Sequence, residues 1–217
     1  FTLWELFCTV QITFPKKTMD GELFSKPTTL SIESVVSITG EVKASTQTDL
    51  GLEIIPSCFE LYSEAATPLP MGIVDKVNVE MDTRLNNRYI DIRKPEIKAV
   101  FELKSLMVQL LNETMCQNGF TQVNTPKIVA SGAEGGATLF TIDYFGKEAY
   151  LAQSPQLYKQ MLMSTGLDRI YEMGPAFRAE HSNTNRHVTE FISFDGEMSW
   201  INSQEDVMIM IERIIDN

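Results

Sequence analysis

Short apolar runs alternate with turn residues over the first sixty positions. FTLWELFCTVQITF, SIESVVSITGEV and GLEIIPSCFELY are rich in threonine and β-branched residues, and signals such as MDG and TDLG separate them. This pattern predicts a small β-barrel or sandwich over residues 1–66. Between 67 and 90 the alternation stops, and Pro68 and Pro70 predict a stiff linker or hinge. The clearest helix spans 95–118. Pro95 suits its first position, Ile97, Phe101, Met107, Leu110, Leu111 and Met115 form its apolar stripe, and Gly119 stops it. FTQVNTPKI follows as a short strand. Pro126 lacks a ladder donor, which predicts an edge or an interface there.

GGATLFTIDYFGKEAYLA reads as a hairpin turning near Phe145 and Gly146. SPQLYKQMLMSTG predicts a second helix, with Ser154 as N-cap, Pro155 in the first position and Gly166 at its end. RIYEMGPAFRAE and EFISFDGEMSW predict two long strands joined by a loop. A last helix starts near Asn202, with Glu205 as its capping-box partner and Val207, Ile211, Ile214 and Ile215 on its apolar side. Strand pairs interleaved with helices predict an α+β fold for residues 91–217, a largely antiparallel sheet flanked by helices.

Composition narrows the classes. The 217 residues are 43% hydrophobic and 22% charged, as in ordinary soluble globular proteins. No apolar run reaches the roughly 18 residues of a membrane span, and residues 1–14 lack the basic lead-in and cleavage site of a secretory signal. A net charge of −11 argues against a generic nucleic-acid coat, though not against a local patch. Cys8, Cys58 and Cys116 are scattered and only two histidines are present, so no metal spacing exists; buried free thiols in a reducing cytosol are expected.

The loop FRAEHSNTNRHVTEF concentrates Arg178, Glu180, Arg186, His187 and Glu190 between the two long strands. Side chains alternate faces along a strand. Tyr171, Met173 and Phe177 share one side of the first strand, and Arg178 and Glu180 the other. Phe194, Met198 and Trp200 share one side of the second, and Phe191, Ser193, Asp195 and Glu197 the other. Paired with their apolar faces aligned, the strands would gather a charged face. Arginine suits a phosphate, an aromatic ring suits a purine, and Asp195 and Glu197 suit an amine or a magnesium ion. Gln156 and Lys159 lie three apart in the first turns of the second helix, where backbone N–H groups favour a carboxylate. Glu134 stands in a glycine-rich loop without P-loop spacing. Together these residues describe a site for a nucleotide and an amino acid with a second carboxylate. Each of them read singly is more at home as a surface ion pair, a packing residue or a solvated side chain; only their joint placement points to a site.

FRAEHSNTNRHVTEF, with DGEM after it, resembles motif 2 of the class II aminoacyl-tRNA synthetases. SGAEGGATLFTIDYFGKEAYLAQSPQLYKQML resembles the aspartyl-tRNA synthetases of the archaeal and eukaryotic cytosolic type, residues 96–126 resemble motif 1, and DTRLNNRYIDIR resembles the entry to the catalytic domain. The resemblance implies a partial N-terminal OB-fold that binds the anticodon (1–66), a hinge (67–90) and a class II catalytic domain (91–217). It implies ligation of L-aspartate to tRNA(Asp) through an aspartyl adenylate, with ATP and Mg2+, in a cytoplasmic homodimer. Carried over residue by residue, Arg178 would be the catalytic contact to the α-phosphate and the aspartate carboxylate. Arg178, Glu180, Arg186, His187 and Phe191 would bind ATP. Glu134, Ser154, Gln156, Lys159, Arg178 and Asp195 would bind aspartate. Phe1, Gln11 and Glu53 would touch the anticodon, and Pro126 would lie at the dimer interface.

Two departures stand out. His181 replaces the family's small polar or acidic residue, and the family's motif 3 and first barrel strand are not in the sequence, as expected of an incomplete record of an ordinary enzyme. The alternatives are an inactive synthetase-like dimeric paralogue, an asparaginyl-tRNA synthetase, against which Lys159 argues, and a bare nucleic-acid-binding module.

Overall fold

The structure is a computed structural model that describes residues 2–4, 9–17, 20–73, 77–132, 138–180 and 187–216. By contact the chain divides into two units, Phe1–Lys94 and Pro95–Asn217. Among the described residues, no helix is long and apolar enough to cross a membrane.

The first unit holds strands β1 (Thr2–Trp4), β2 (Thr9–Ile12), β3 (Val35–Ala44) and β4 (Leu52–Ser63), with a short helix α1 (Gly21–Ser25) before β3. Their order is β1-β2-β4-β3; β1 and β2 are antiparallel, β2 and β4 parallel, and β3 and β4 antiparallel. Alternation along β4 turns Phe59 inward, where Phe14 meets it edge-on, and leaves Cys58 exposed. Cys116 is exposed as well, so both described thiols depart from the expected burial. Gly40 stands opposite Pro56 at a shift in the β3–β4 register. A Cβ there would lie 2.2 Å from the Ile55 carbonyl oxygen, so only glycine fits this close approach. Among the described residues the sheet is open, ending on β1 and β3; the expected barrel closure would need a ladder between those strands.

Residues 67–90 are more than a stiff hinge. Met71, Ile73 and Ile90 form a buried cluster with Leu69 and Val79 against it, and helices α2 (Met81–Asn86) and α3 (Arg88–Asp91) follow. Asp91, with no exposed surface, ties the two helices together. It accepts from Arg84 Nε at 2.9 Å and Nη2 at 3.2 Å, and from Arg88 Nη1 at 2.7 Å. The Arg84 guanidinium, more than opposing burial, holds the Asp91 carboxyl below its ordinary pKa.

The second unit opens with helix α4 (Pro95–Gln117), stopped by Gly119 at φ +77° as expected. Strands β5 (Thr121–Gln122) and β6 (Ile128–Val129) flank Pro126, which splits the single strand anticipated there because it cannot donate to a ladder. The hairpin β7 (Thr141–Tyr144) and β8 (Lys147–Leu151) turns at Phe145 and Gly146, both at positive φ. Next come α5 (Gln156–Met163), β9 (Arg169–Phe177), β10 (Glu190–Met198) and α6 (Gln204–Ile215).

The sheets run β10-β9-β5 and β6-β8-β7. The second is wholly antiparallel, and the first is antiparallel except where β5 runs parallel to β9. A backbone bond joins them, Phe177 N–H donating to Ala152 O, while Ala152 N–H donates to Lys127 O at the end of the β6–β8 ladder.

Helix ends differ from expectation in detail. α5 starts after Pro155, one residue late, and Ser154 Oγ receives Gln156 N–H only at 3.4 Å. In α6 the N-cap is Ser203 and its reciprocal partner is Asp206, not Glu205; Asp206 Oδ2 accepts from Asn202 N at 2.8 Å. α6 buries Met210 and leans on Ile214, whereas Ile211 and Ile215 are exposed. The core joins Met115, Phe120, Tyr171 and Met210 with Phe194, Met198 and Ile214. Only the C-terminal end of the expected α4 stripe reaches it. Val100, Phe101, Leu103, Leu106 and Met107 are 44–61% exposed.

Candidate active site

The β9–β10 register decides the geometry. Phe194 lies opposite Met173 and Gly196 opposite Tyr171, on the face that packs against α4 and α6. The other face brings Glu172 opposite Asp195, Gly174 opposite Ser193 and Ala176 opposite Phe191. Apolar faces coincide, and so do the polar ones, as alternation implied.

At one end of the polar face stands Arg178, just past the last residue of β9, its N–H still bonded to Thr189 O at 3.0 Å. Its guanidinium carbon is 5.5 Å from the centre of the Phe191 ring, a cation–π distance. At the other end Lys159 enters from α5, only 5% exposed. Its Nζ lies 3.4 Å from Asp195 Oδ1, 3.3 Å from Glu197 Oε2 and 3.4 Å from Gly196 O. Ser193 Oγ donates to Asp195 Oδ2 at 2.5 Å. Phe191 and Asp195 are four residues apart, roughly 13 Å along the strand. Between them, Ser193 and Gly174 present little bulk. The face is therefore a shallow floor with an arginine and a ring at one end and a held lysine at the other.

Gln156, the first residue of α5, and Ser154 are half-buried, as is Glu180; His187 is exposed. Glu134, His181 and Arg186 lie outside the described residues, as do Phe1 and Cys8. In the first unit Gln11 and Glu53 are register partners on β2 and β4, and Thr13 Oγ1 donates to Glu53 Oε2. Pro126 is exposed.

Sequence reasoning missed a second charged group on this floor. Glu172, 2% exposed, accepts from Thr125 N at 2.8 Å and Thr125 Oγ1 at 2.7 Å, and its Oε1 lies 2.9 Å from Lys127 Nζ. The signal was present: Glu172 has the same strand parity as Arg178. What no local pattern shows is that Thr125 and Lys127 come to meet it. On the opposite face, burial and then the Cys116 thiol raise the pKa of Tyr171, and its hydroxyl donates to Asn112 Oδ1 at 3.0 Å.

A family model described as tRNA synthetases class II (D, K and N) matches residues 80–217. The chain belongs to this family. An aspartate–tRNA(Asp) ligase of Pyrococcus abyssi (strain GE5 / Orsay) is 47% identical over 206 residues, which cover 95% of the chain and 47% of that relative. The chain thus spans about half the length of the curated relatives it matches. A putative aspartyl-tRNA synthetase from Leishmania major Friedlin superposes with a TM-score of 0.89 at 30% identity, over 99% of this chain and 44% of that one. An asparaginyl-tRNA synthetase from Pyrococcus horikoshii, complexed with asparaginyl-adenylate, reaches 0.87 at 30% identity, over 99% of this chain and 50% of that one. As a class II synthetase chain, it brings Arg178, Phe191 and Asp195 of its motif 2 segment to one sheet face, where Lys159 of its QSPQLYK segment meets them.

Proposed function

We propose that the protein ligates L-aspartate to tRNA(Asp) through an aspartyl-adenylate intermediate, at the expense of ATP. The observation that carries this reading is the buried Lys159, held by Asp195 and Glu197 on the same face as the Arg178–Phe191 pair. A nucleotide at one end and a side-chain carboxylate at the other match the two substrates of adenylation.

In this reading Phe191 stacks on adenine, and Arg186, His187 and Glu180 attend the polyphosphate side. Arg178 leaves the ring to bind the α-phosphate and the substrate's α-carboxylate. Gln156, Ser154 and Lys159 receive the amino-acid side chain. Glu134 and Asp195 meet the ammonium, and Asp195 also holds Lys159. An α-carboxylate oxygen attacks the α-phosphorus, the bond to the β-phosphate oxygen breaks, and pyrophosphate leaves. A ribose hydroxyl at the tRNA end then attacks the acyl carbon and AMP leaves. No protein nucleophile is needed, because alignment and stabilisation of spreading charge do the work. Among the described residues no cluster of three or more His, Cys, Asp or Glu could hold a metal. Mg2+ is proposed as an ion carried by the triphosphate, which needs only one or two protein oxygens.

The first unit is proposed as an OB-fold reading the anticodon through Phe1, Gln11 and Glu53, and the protein as a cytoplasmic homodimer joined through Pro126 and the exposed apolar side of α4. The solved structures most like this chain include both aspartyl and asparaginyl enzymes, so likeness of fold does not choose the amino acid. The name of the 47% identical relative and the placement of Lys159 favour aspartate. Exchange of labelled pyrophosphate into ATP tests the reading. It should depend on aspartate; equal stimulation by asparagine, or none by aspartate, would overturn it.

A further inference from the structure

Glu172 poses a problem for the site described above. It lies directly opposite Asp195 in the antiparallel register, with both side chains on the substrate face. Cross-strand neighbours have Cβ atoms about 4.5–5.5 Å apart, and like charges there repel. Two carboxylates therefore stand side by side on the floor, and one of them, Asp195, holds the buried ammonium of Lys159. An unneutralised Glu172 would compete with a substrate carboxylate for that ammonium.

Lys127 resolves the conflict. Its Nζ is 2.9 Å from Glu172 Oε1 and donates to Thr125 Oγ1 at 3.1 Å. It is not a surface ion pair, because the two side chains are 22% and 3% exposed. Its ammonium crosses Gly174: a Cβ built at that glycine would lie 3.3 Å from Lys127 Cε and 3.4 Å from Nζ. Gly174 is the residue opposite Ser193, and a side chain there would press on the end of Lys127 and on Glu172 Oε1, also 3.3 Å from that Cβ. The segment is pinned at its backbone too, since Lys127 O accepts Ala152 N–H at 2.9 Å. The floor thus carries two separate charge sets, Lys127 with Glu172, and Lys159 with Asp195 and Glu197.

We propose that Lys127 is a positioning residue for amino-acid selection: it neutralises Glu172, so that Lys159 stays directed at the side-chain carboxylate of the substrate. This rests on the aspartate-activating reading of the site. Lys127 acts through Glu172 and Lys159 and need not touch the substrate.

The test uses pyrophosphate exchange in the intact protein, with aspartate and ATP titrated separately. Lys127→Met should raise the aspartate KM on the order of tenfold while kcat and the ATP KM stay within about twofold, because one charge at the amino-acid end is left unmatched. Adding Glu172→Gln should return the aspartate KM to near the wild-type value, since the amide can still accept from Thr125 and no stray charge remains. If Lys127→Met does not fold, Lys127→Gln, which keeps a donor toward Glu172 but no charge, carries the same expectation. An unchanged aspartate KM, equal rises for aspartate and ATP, or failure of Glu172→Gln to rescue would each overturn the proposal. A wild-type protein without aspartate-dependent exchange would instead sink the functional reading, and this inference with it.

Discussion

Replacing Lys159 by methionine keeps most of the buried volume and removes one charge. Two effects follow at the amino-acid end of the site. The substrate carboxylate loses a charged hydrogen-bond partner, worth about 1.5–3 kcal/mol. Asp195 and Glu197, both within 3.4 Å of the lysine, lose their counter-ion. At an effective dielectric near 20, one uncompensated carboxylate about 5 Å from the substrate's own adds roughly 3 kcal/mol of repulsion. The Asp195 and Glu197 side chains are 22% and 28% exposed, so water screens part of that. The expected total is about 3–4 kcal/mol, a fall in kcat/KM for aspartate of roughly 10²- to 10³-fold. Asparagine brings no second negative charge, so any exchange it drives should fall much less and the proposed preference for aspartate should collapse. Pyrophosphate exchange measured with each amino acid, with ATP saturating, reads both quantities. A loss below tenfold for aspartate, or an equal loss for both amino acids, would show that Lys159 does not face the side-chain carboxylate.

Phe191→Leu should raise the ATP KM several-fold to tens-fold through lost base stacking, worth about 1–3 kcal/mol, and leave the aspartate KM nearly unchanged; a shift in aspartate KM alone would misplace the ring. Asp91→Asn should lower the stability of the first unit by about 1–2 kcal/mol at neutral pH, the low end for a buried charged pair because Arg84 and Arg88 remain partly hydrated. The Asp91 pKa is lowered in the folded state, so its contribution is present above the unfolded carboxyl pKa near ~4 and is lost as pH falls through the lower folded value. Denaturation followed by Trp4 emission in a Trp200→Phe background should therefore show a gap between wild type and variant that is steady at neutral pH and narrows in acid; a gap that widens in acid would refute the sign. Leu103→Glu combined with Met107→Glu places charge on the exposed side of α4 and should convert the proposed dimer to a monomer in sedimentation velocity; unchanged mass would remove that face from the interface.

Much of the second unit was legible because its decisive signals are local. Pro95 and Gly119 bound α4, and Phe145 and Gly146 mark the hairpin tip. Strand parity in RIYEMGPAF and EFISFDGEM sorts Tyr171 and Phe194 from Ala176 and Phe191 without any knowledge of neighbours. The same parity placed Arg178, Phe191 and Asp195 on one face before any coordinates. Details of caps were less legible, because Ser154, Ser203, Glu205 and Asp206 offer several chemically adequate choices within two residues.

Periodicity identifies which side of an element is apolar or charged, because that depends only on backbone geometry over a few residues. It does not identify what that side meets. The sequence alone therefore determined the elements, the polar face of β9 and β10 and the kinds of group the site contains. Tertiary structure decided that Asp195 and Glu197 grip Lys159, that Thr125 and Lys127 reach Glu172 from 45 to 47 positions away, and that the middle of the α4 stripe lies exposed while its end is core. Those outcomes depend on chain segments far apart in sequence being brought into hydrogen-bonding range. No short window of residues encodes such a distance.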